Sequence, residues 1–208
     1  MIRERVLRAG ALVLVLVVLA AAAVAGCGSS SSGSSANTNT TNTNAAPAAP
    51  EKSPPGDIPD SQAYVRYAPP GGGYAVKVPE GWSRAQSGSA VAFTDKLNTV
   101  RLESTAAGAQ PTAAAVKQTT VPKLKSTEKG FALKSVSTVH RKGGTAVRIS
   151  YQALGKPDAV TGKTRVDDVE QYVFFHKGRK AVLTLSGPKG ADNVDPWRTV
   201  TDSLRWTR

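Results

Sequence analysis

The sequence predicts an α+β domain built on an antiparallel sheet, preceded by a signal peptide and a disordered linker. Three observations predict this. An uncharged apolar run follows three arginines at the N-terminus, and a stretch of small polar residues then extends to about Pro59. Beyond it come short apolar segments of strand period, divided by Gly-rich turns, with only two stretches of helical spacing.

Arg3, Arg5 and Arg8 form a positive leader, and Ala9 to Val24 carry no charge. That run of about 16 residues is short of the roughly 20 needed to cross a bilayer as a helix, so it reads as the apolar core of a signal peptide over residues 1–26. It closes on Val24-Ala25-Gly26-Cys27, whose cysteine is the only one in the chain. This stretch resembles the lipobox of bacterial lipoprotein precursors. The resemblance implies cleavage before Cys27 and acylation of its thiol, and therefore an anchor on the extracytoplasmic face of the cell membrane. Small residues at the cut let the processing enzymes reach the backbone, and the thioether needs a nucleophilic sulfur. Two other readings compete: an uncleaved signal anchor with an incidental cysteine, and cleavage of a secreted protein at Ala21-Ala22-Ala23. An acylated Cys27 leaves no thiol for a disulfide or a nucleophile, so the fold is expected to stand without disulfides.

Residues 27–59 carry the acylated cysteine and then Ser29 to Ser32, the Asn37-Thr38-Asn39-Thr40 alternation, and Pro47, Pro50, Pro54 and Pro55. Such a segment has too little apolar surface to offset its ordering entropy, so it is expected to be a disordered linker, stiffer toward its prolines. As a flexible coil it reaches roughly 30 Å. Asn39-Thr40-Thr41 matches a glycosylation sequon, and the Ser and Thr content would suit O-glycosylation.

Residues 60–208 have the size of one α/β globular domain. Tyr64 to Tyr67 and Tyr74 to Val78 read as strands joined across Pro69-Pro70-Gly71-Gly72-Gly73. In the second, Tyr74, Val76 and Val78 share a face while Lys77 points the other way. Pro79-Glu80-Gly81 turns the chain into Trp82. Further strands are expected at Ala90 to Thr94, Val100 to Ser104, Leu133 to Arg141, Ala146 to Leu154, Val169 to His176 and Ala181 to Ser186. Gly143-Gly144 and Lys177-Gly178-Arg179 are hairpin turns on this reading. Tyr172-Val173-Phe174-Phe175 is apolar on both faces, which predicts a central strand covered from two sides.

Pro111 to Val116 opens one helix, which Pro122 is expected to kink or interrupt. The other begins with Asp195 as N-cap and Pro196 in the first turn, and sets Trp197, Val200, Thr201 and Leu204 at 3-to-4 spacing. Its apolar face should pack Trp197 and Leu204 on the sheet, with Trp206 just beyond.

The segment Tyr74-x-Val76-x-Val78-Pro79-x-Gly81-Trp82, the long meander and the closing Pro196-Trp197…Ser203-Leu204-x-Trp206 resemble actinobacterial lipoproteins of the PsbP-like fold. That fold is named for an extrinsic photosystem II protein and is shared by a small Ran-binding nuclear-import factor. The resemblance spans roughly residues 62–206. It implies an α/β/α sandwich with a central antiparallel sheet, and roles in binding and assembly without a shared catalytic constellation.

Little in the sequence points to catalysis. His140 and His176 sit at strand ends beside Arg141 and Lys177, and no Gly-x-Ser-x-Gly elbow accompanies them. No spaced His/Cys cluster offers a zinc site. Asp167, Asp168 and Glu170, with Asp192 and Asp195, are the densest carboxylates, but they lack EF-hand spacing, so no metal or cofactor is expected.

Charge says more. The chain carries +12, and removing the leader's three Arg and one Glu leaves about +10. Lys77, Arg101 and Arg148 lie on the polar faces of their strands, and Lys117, Lys123, Lys125, Lys129 and Lys134 cluster around the first helix. Lys77, Arg101, Arg148, Lys123 and Lys125 are the candidate contacts to an anionic surface. No aromatic stacking motif accompanies them, which argues against nucleic acid. The expected function is a non-enzymatic, lipid-anchored module that binds or assembles an envelope protein or an anionic envelope polymer. The alternatives are a carrier of a small apolar ligand, with Trp82, Phe93 and Trp197 as lining candidates, and an envelope-acting hydrolase.

Overall fold

The structure, a computed structural model, describes residues 54–158 and 161–207. The signal peptide, the lipobox residues Val24, Ala25 and Gly26, the lipidation site Cys27 and the linker up to residue 53 lie outside the described residues. Among the described residues no helix is long and apolar enough to cross a membrane.

The chain runs through β1 (Tyr64–Tyr67), β2 (Tyr74–Pro79), β3 (Ser83–Ser87), β4 (Ala90–Asp95), β5 (Asn98–Ala106), α1 (Ala113–Thr127), β6 (Ala132–Arg141), β7 (Gly144–Leu154), β8 (Val166–His176), β9 (Arg179–Pro188), α2 (Val194–Asp202) and β10 (Arg205–Trp206). Seven strands form one antiparallel sheet in the order β3-β4-β5-β9-β8-β7-β6. The other three form a small antiparallel sheet, β1-β2-β10. The fold is the expected α+β class.

Alternation along the strands divides the core in two. On β8, Tyr172 and Phe174 enter a cluster with Tyr74, Val76 and Val78 of β2, Trp197 and Val200 of α2, and Leu204 just beyond the end of that helix. Val169 of β8, with Val147, Ile149, Tyr151 and Ala153 of β7, meets Val116 and Leu124 of α1. The large sheet is therefore covered on one face by α1 and on the other by α2 together with the small sheet. The two-sided burial expected for Tyr172 to Phe175 follows from this, because β8 lies inside the sheet between β9 and β7. The β8–β9 turn takes positive φ at both Lys177 (45°) and Gly178 (77°), as a two-residue hairpin of primed type requires.

Four details depart from the sequence reading. Helix α1 runs unbroken through Pro122, held on β6 and β7 by Val116 and Leu124 on either side of it. Helix α2 begins at Val194, so its N-cap is Asn193 and Asp195 lies in the first turn. Asn193 is turned to another use: its Oδ1 accepts from the Ile58 N–H at 2.8 Å, and its Nδ2 donates to the Gly56 carbonyl at 3.0 Å. Residues 54–59, expected to close the linker, thereby dock on the domain, and Ile58 is buried in the larger core cluster. Finally, β3 is an edge strand exposed along its whole length, and only its pairing with β4 makes it a strand.

Candidate anion-binding cleft

The outer face of the small sheet and α2 line the cleft with the largest excess of cations among the three described below. Tyr74, Val76 and Val78 of β2 point into the core, which turns Lys77 to the outer face, where Ala75 is covered and Lys77 is exposed. The register of β1 sets Arg66 directly opposite Lys77, and that of β10 sets Arg205 opposite Ala75. Side chains opposed in this way share a face, so Arg205, Lys77 and Arg66 form a row across three strands. Helix α2 adds Asp195, Arg198, Thr199 and Asp202, and the β6–β7 turn adds Lys142. Together they line a cleft of about 620 Å³ holding five cations and two carboxylates.

The carboxylates offset little of that charge. Asp202 is flanked by Arg198 Nε at 3.6 Å and by Arg141 Nε at 3.8 Å from outside the cleft. The Arg205 guanidinium is fixed by donating to the carbonyls of Asp202 (3.0 Å) and Leu204 (2.6 Å), which closes the C-terminal end of α2. Ser203 Oγ accepts from the Lys77 backbone N–H at 2.7 Å and ties β2 to the same end. Arg66, Lys77 and Lys142 have no carboxylate partner among the described residues. A concave surface with several unneutralised cations attracts anions and holds them where they can be shared between donors.

A second cleft of about 360 Å³ lies on the other side of Arg198, between α2 and β6 to β8. Here the cations are spent on internal partners. Arg148 Nη1 donates to Glu170 Oε1 at 3.3 Å, the Tyr172 hydroxyl donates to Glu170 Oε2 at 2.6 Å, and Arg141 Nη2 donates to that hydroxyl at 3.1 Å. Burial and the Glu170 carboxylate push the Tyr172 hydroxyl above its ordinary pKa, with Arg141 opposing them. Arg141 Nε also donates to the Thr201 hydroxyl at 3.2 Å, which fastens α2 to this network.

The residues singled out from the sequence are thus separated. Lys77 lies in the first cleft and Arg148 in the second. Arg101 and Lys123 share a groove of about 600 Å³ between α1 and the opposite face of the large sheet, where Arg101 is paired with Glu103 at 2.7 Å. Lys125 is exposed on α1 and lines none of these three spaces. Arg66, Lys142, Arg198 and Arg205 escaped the sequence reading because they come from four separate segments. The one available hint was the parity that sets Arg66 and Lys77 outward on paired strands.

The other candidates are placed as follows. Strand alternation divides the acidic cluster: Asp168 binds Lys134 and Gln152 on one face with Glu170, while Asp167 lies on the other, 2.8 Å from Arg165. Among the described residues no group of three or more His, Cys, Asp or Glu could hold a metal ion. The His140 ring is 3.2 Å from the Thr145 hydroxyl, and His176 stacks on Trp206 at 5.3 Å. Phe93 and Trp197 belong to the core cluster, with Trp82 packed against it and donating to Gln62 Oε1 at 3.3 Å. Packing accounts for all three aromatics.

No family model matches the chain, and no curated protein sequence matches it. Several solved structures are similar in fold. One is a protein of Bacteroides thetaiotaomicron, at 16% identity and a TM-score of 0.47; the match covers 69% of this chain and 48% of that one, so the chain spans about half the length of that neighbour. Another is the cyanobacterial PsbP of Synechocystis sp. PCC 6803, at 19% identity and a TM-score of 0.49, covering 70% of this chain and 93% of that one. A third is LpqN of Mycobacterium tuberculosis, described as involved in cell envelope biogenesis, at 17% identity and a TM-score of 0.40, covering 72% and 87%. At these identities the likeness is one of fold and says nothing of ligand or partner.

Proposed function

We propose that this protein is a non-enzymatic binding module, held on the extracytoplasmic face of the cell membrane by an acylated Cys27, whose α2-side cleft takes an anionic partner. The observation that carries this reading is the Arg66–Lys77 pair. Two cations stand directly opposite each other in a three-stranded sheet, with Arg205, Lys142 and Arg198 around the same cleft and only two carboxylates to answer them. The linker supplies the reach, and the anchor confines the encounter to the envelope. Within this cleft Arg66, Lys77 and Lys142 have no ion-pair partner among the described residues, which favours its use by an anion.

Two measurements test the reading. Metabolic labelling with palmitate should mark the wild-type chain and not Cys27→Ala, which should also leave the membrane fraction. Calorimetry of the detergent-solubilised full chain with poly-glutamate should show salt-sensitive binding that weakens about tenfold in the Arg66→Glu/Lys77→Glu variant, because two attractive charges become repulsive. Equal binding by the variant would place the partner elsewhere.

A further inference from the structure

We propose that the α2-side cleft takes the phosphodiester headgroups of anionic phospholipids, so that the domain lies with α2 and the small sheet toward the leaflet and α1 away from it. This rests on the reading of the cleft as an anion site and names the anion.

The first argument is where the chain leaves the domain. Asn193, immediately before α2, holds the Gly56 carbonyl and the Ile58 N–H, and Asp57 Oδ1 accepts from the Asp192 N–H at 2.9 Å. The segment leading back to Cys27 therefore meets the domain at the N-terminal end of the helix that walls the cleft. That helix is nine residues long, or about 14 Å. Twenty-six residues separate Cys27 from Pro54. An anchor in the leaflet thus keeps this side of the domain close to the headgroups.

Charge and shape agree with that placement. Juxtamembrane clusters of Lys and Arg are attracted to anionic lipid surfaces, and a phosphodiester can accept hydrogen bonds from several cations at once. Arg66, Lys77, Lys142, Arg198 and Arg205 converge on one concavity from five segments of chain. The groove on the α1 side holds Arg101, Lys123 and Lys180 against Glu103 and Glu128, a nearly balanced set. Val194 adds an apolar contact: it is 70% exposed, more than any other large exposed hydrophobic among the described residues, and it opens α2 beside the tether junction. At an interface such a side chain can enter the headgroup layer while the cations engage phosphates.

The test is amine footprinting of the full-length acylated chain, inserted through its own anchor into lipid discs. One set of discs is phosphatidylcholine; the other is equal parts phosphatidylcholine and phosphatidylglycerol. The expected result is that Lys77 and Lys142 acetylate about threefold or more slowly in the anionic discs while Lys125 on α1 is unchanged. Arg66→Glu/Lys142→Glu should return Lys77 to its rate in the neutral discs. Equal slowing at Lys125 would overturn the orientation. A third arm adds poly-glutamate to neutral discs. Protection of Lys77 there, without protection by phosphatidylglycerol, would overturn the phospholipid and leave an acidic protein segment as the partner. Protection in neither arm would remove the anion site itself.

Discussion

Arg66 and Lys77 face each other across the β1–β2 pair with no carboxylate between them. Like charges directly opposed on antiparallel strands are destabilising, so the sheet carries a cost that a single substitution would remove. Lys77→Glu should convert the repulsion into attraction and raise the unfolding free energy by about 0.5 kcal/mol. The same change should weaken binding of anionic vesicles, so stability and function move in opposite directions. A stabilised variant that bound anionic vesicles as well as wild type would show that the pair serves no ligand.

Asn193 holds the beginning of the domain to its last helix, and Asn98 shares the load. Asn98 Nδ2 donates to the Gly56 carbonyl at 3.0 Å, and Asn193 Nδ2 also donates to Asn98 Oδ1 at 3.1 Å. Both side chains are buried, so Asn193→Leu leaves the Ile58 N–H and Asn98 Oδ1 unmet, while Asn98 still serves the Gly56 carbonyl, at a cost of roughly 2–3 kcal/mol. Urea unfolding should report that loss, and limited proteolysis should cut near residue 58 in the variant first. Gly187 gives an independent check. A Cβ there would lie 2.4 Å from Asn98 Oδ1 and 2.8 Å from Asn193 Nδ2, so Gly187→Ala should release the same segment without touching either asparagine.

The strands were legible wherever one face is buried. In β2 the alternation of Tyr74, Val76 and Val78 sets the core face and leaves Lys77 exposed on the other, and in β8 a doubly apolar run marks the interior of the sheet. β3 was not legible, because Ser83 to Ser87 are all exposed and carry no apolar period. Its strand form comes from hydrogen bonds to β4, which no local pattern records. Asp195 misled as a helix cap for a similar reason. Asn193 is a good capping residue by type, but tertiary partners in residues 56–58 and at Asn98 claim its side chain. The cleft was legible only in part. Lys77 could be placed outward by parity, but the meeting of Arg66, Lys142, Arg198 and Arg205 beside it depends on how α2 packs.

Asp168 should give the domain part of its acid sensitivity. Burial favours its neutral form, yet hydrogen bonds from Lys134 and Gln152, with the Lys134 charge, hold its carboxyl below the usual range. A carboxyl depressed in the folded state contributes stability that is fully present above its unfolded value, near pH 4, and is lost as pH falls through the folded value. Asp168→Asn should flatten the decline in stability below about pH 4 and cost about 0.5 kcal/mol at neutral pH, where the partly exposed pair with Lys134 is lost. Chemical denaturation repeated across that range would measure both. An unchanged acid slope would assign the sensitivity to other carboxylates.

Pro122 poses the sharpest question about α1. It lies inside a fifteen-residue helix, where it cannot donate to the carbonyl of Gln118, and its side chain is exposed, so no core contact explains its presence. Proline in a helix interior costs about 3 kcal/mol relative to alanine, and Pro122→Ala should therefore stabilise the domain by roughly 1–3 kcal/mol. The gain should appear as a higher urea midpoint with an unchanged slope, since the same surface is exposed on unfolding. Val116 and Leu124 must both reach β7 from opposite sides of position 122. If the missing hydrogen bond is what lets the helix follow the twisted sheet, alanine will straighten α1 and lift Leu124 from its seat. Pro122→Ala would then lose stability, and adding Leu124→Ala to it would cost less than Leu124→Ala costs in the wild-type helix.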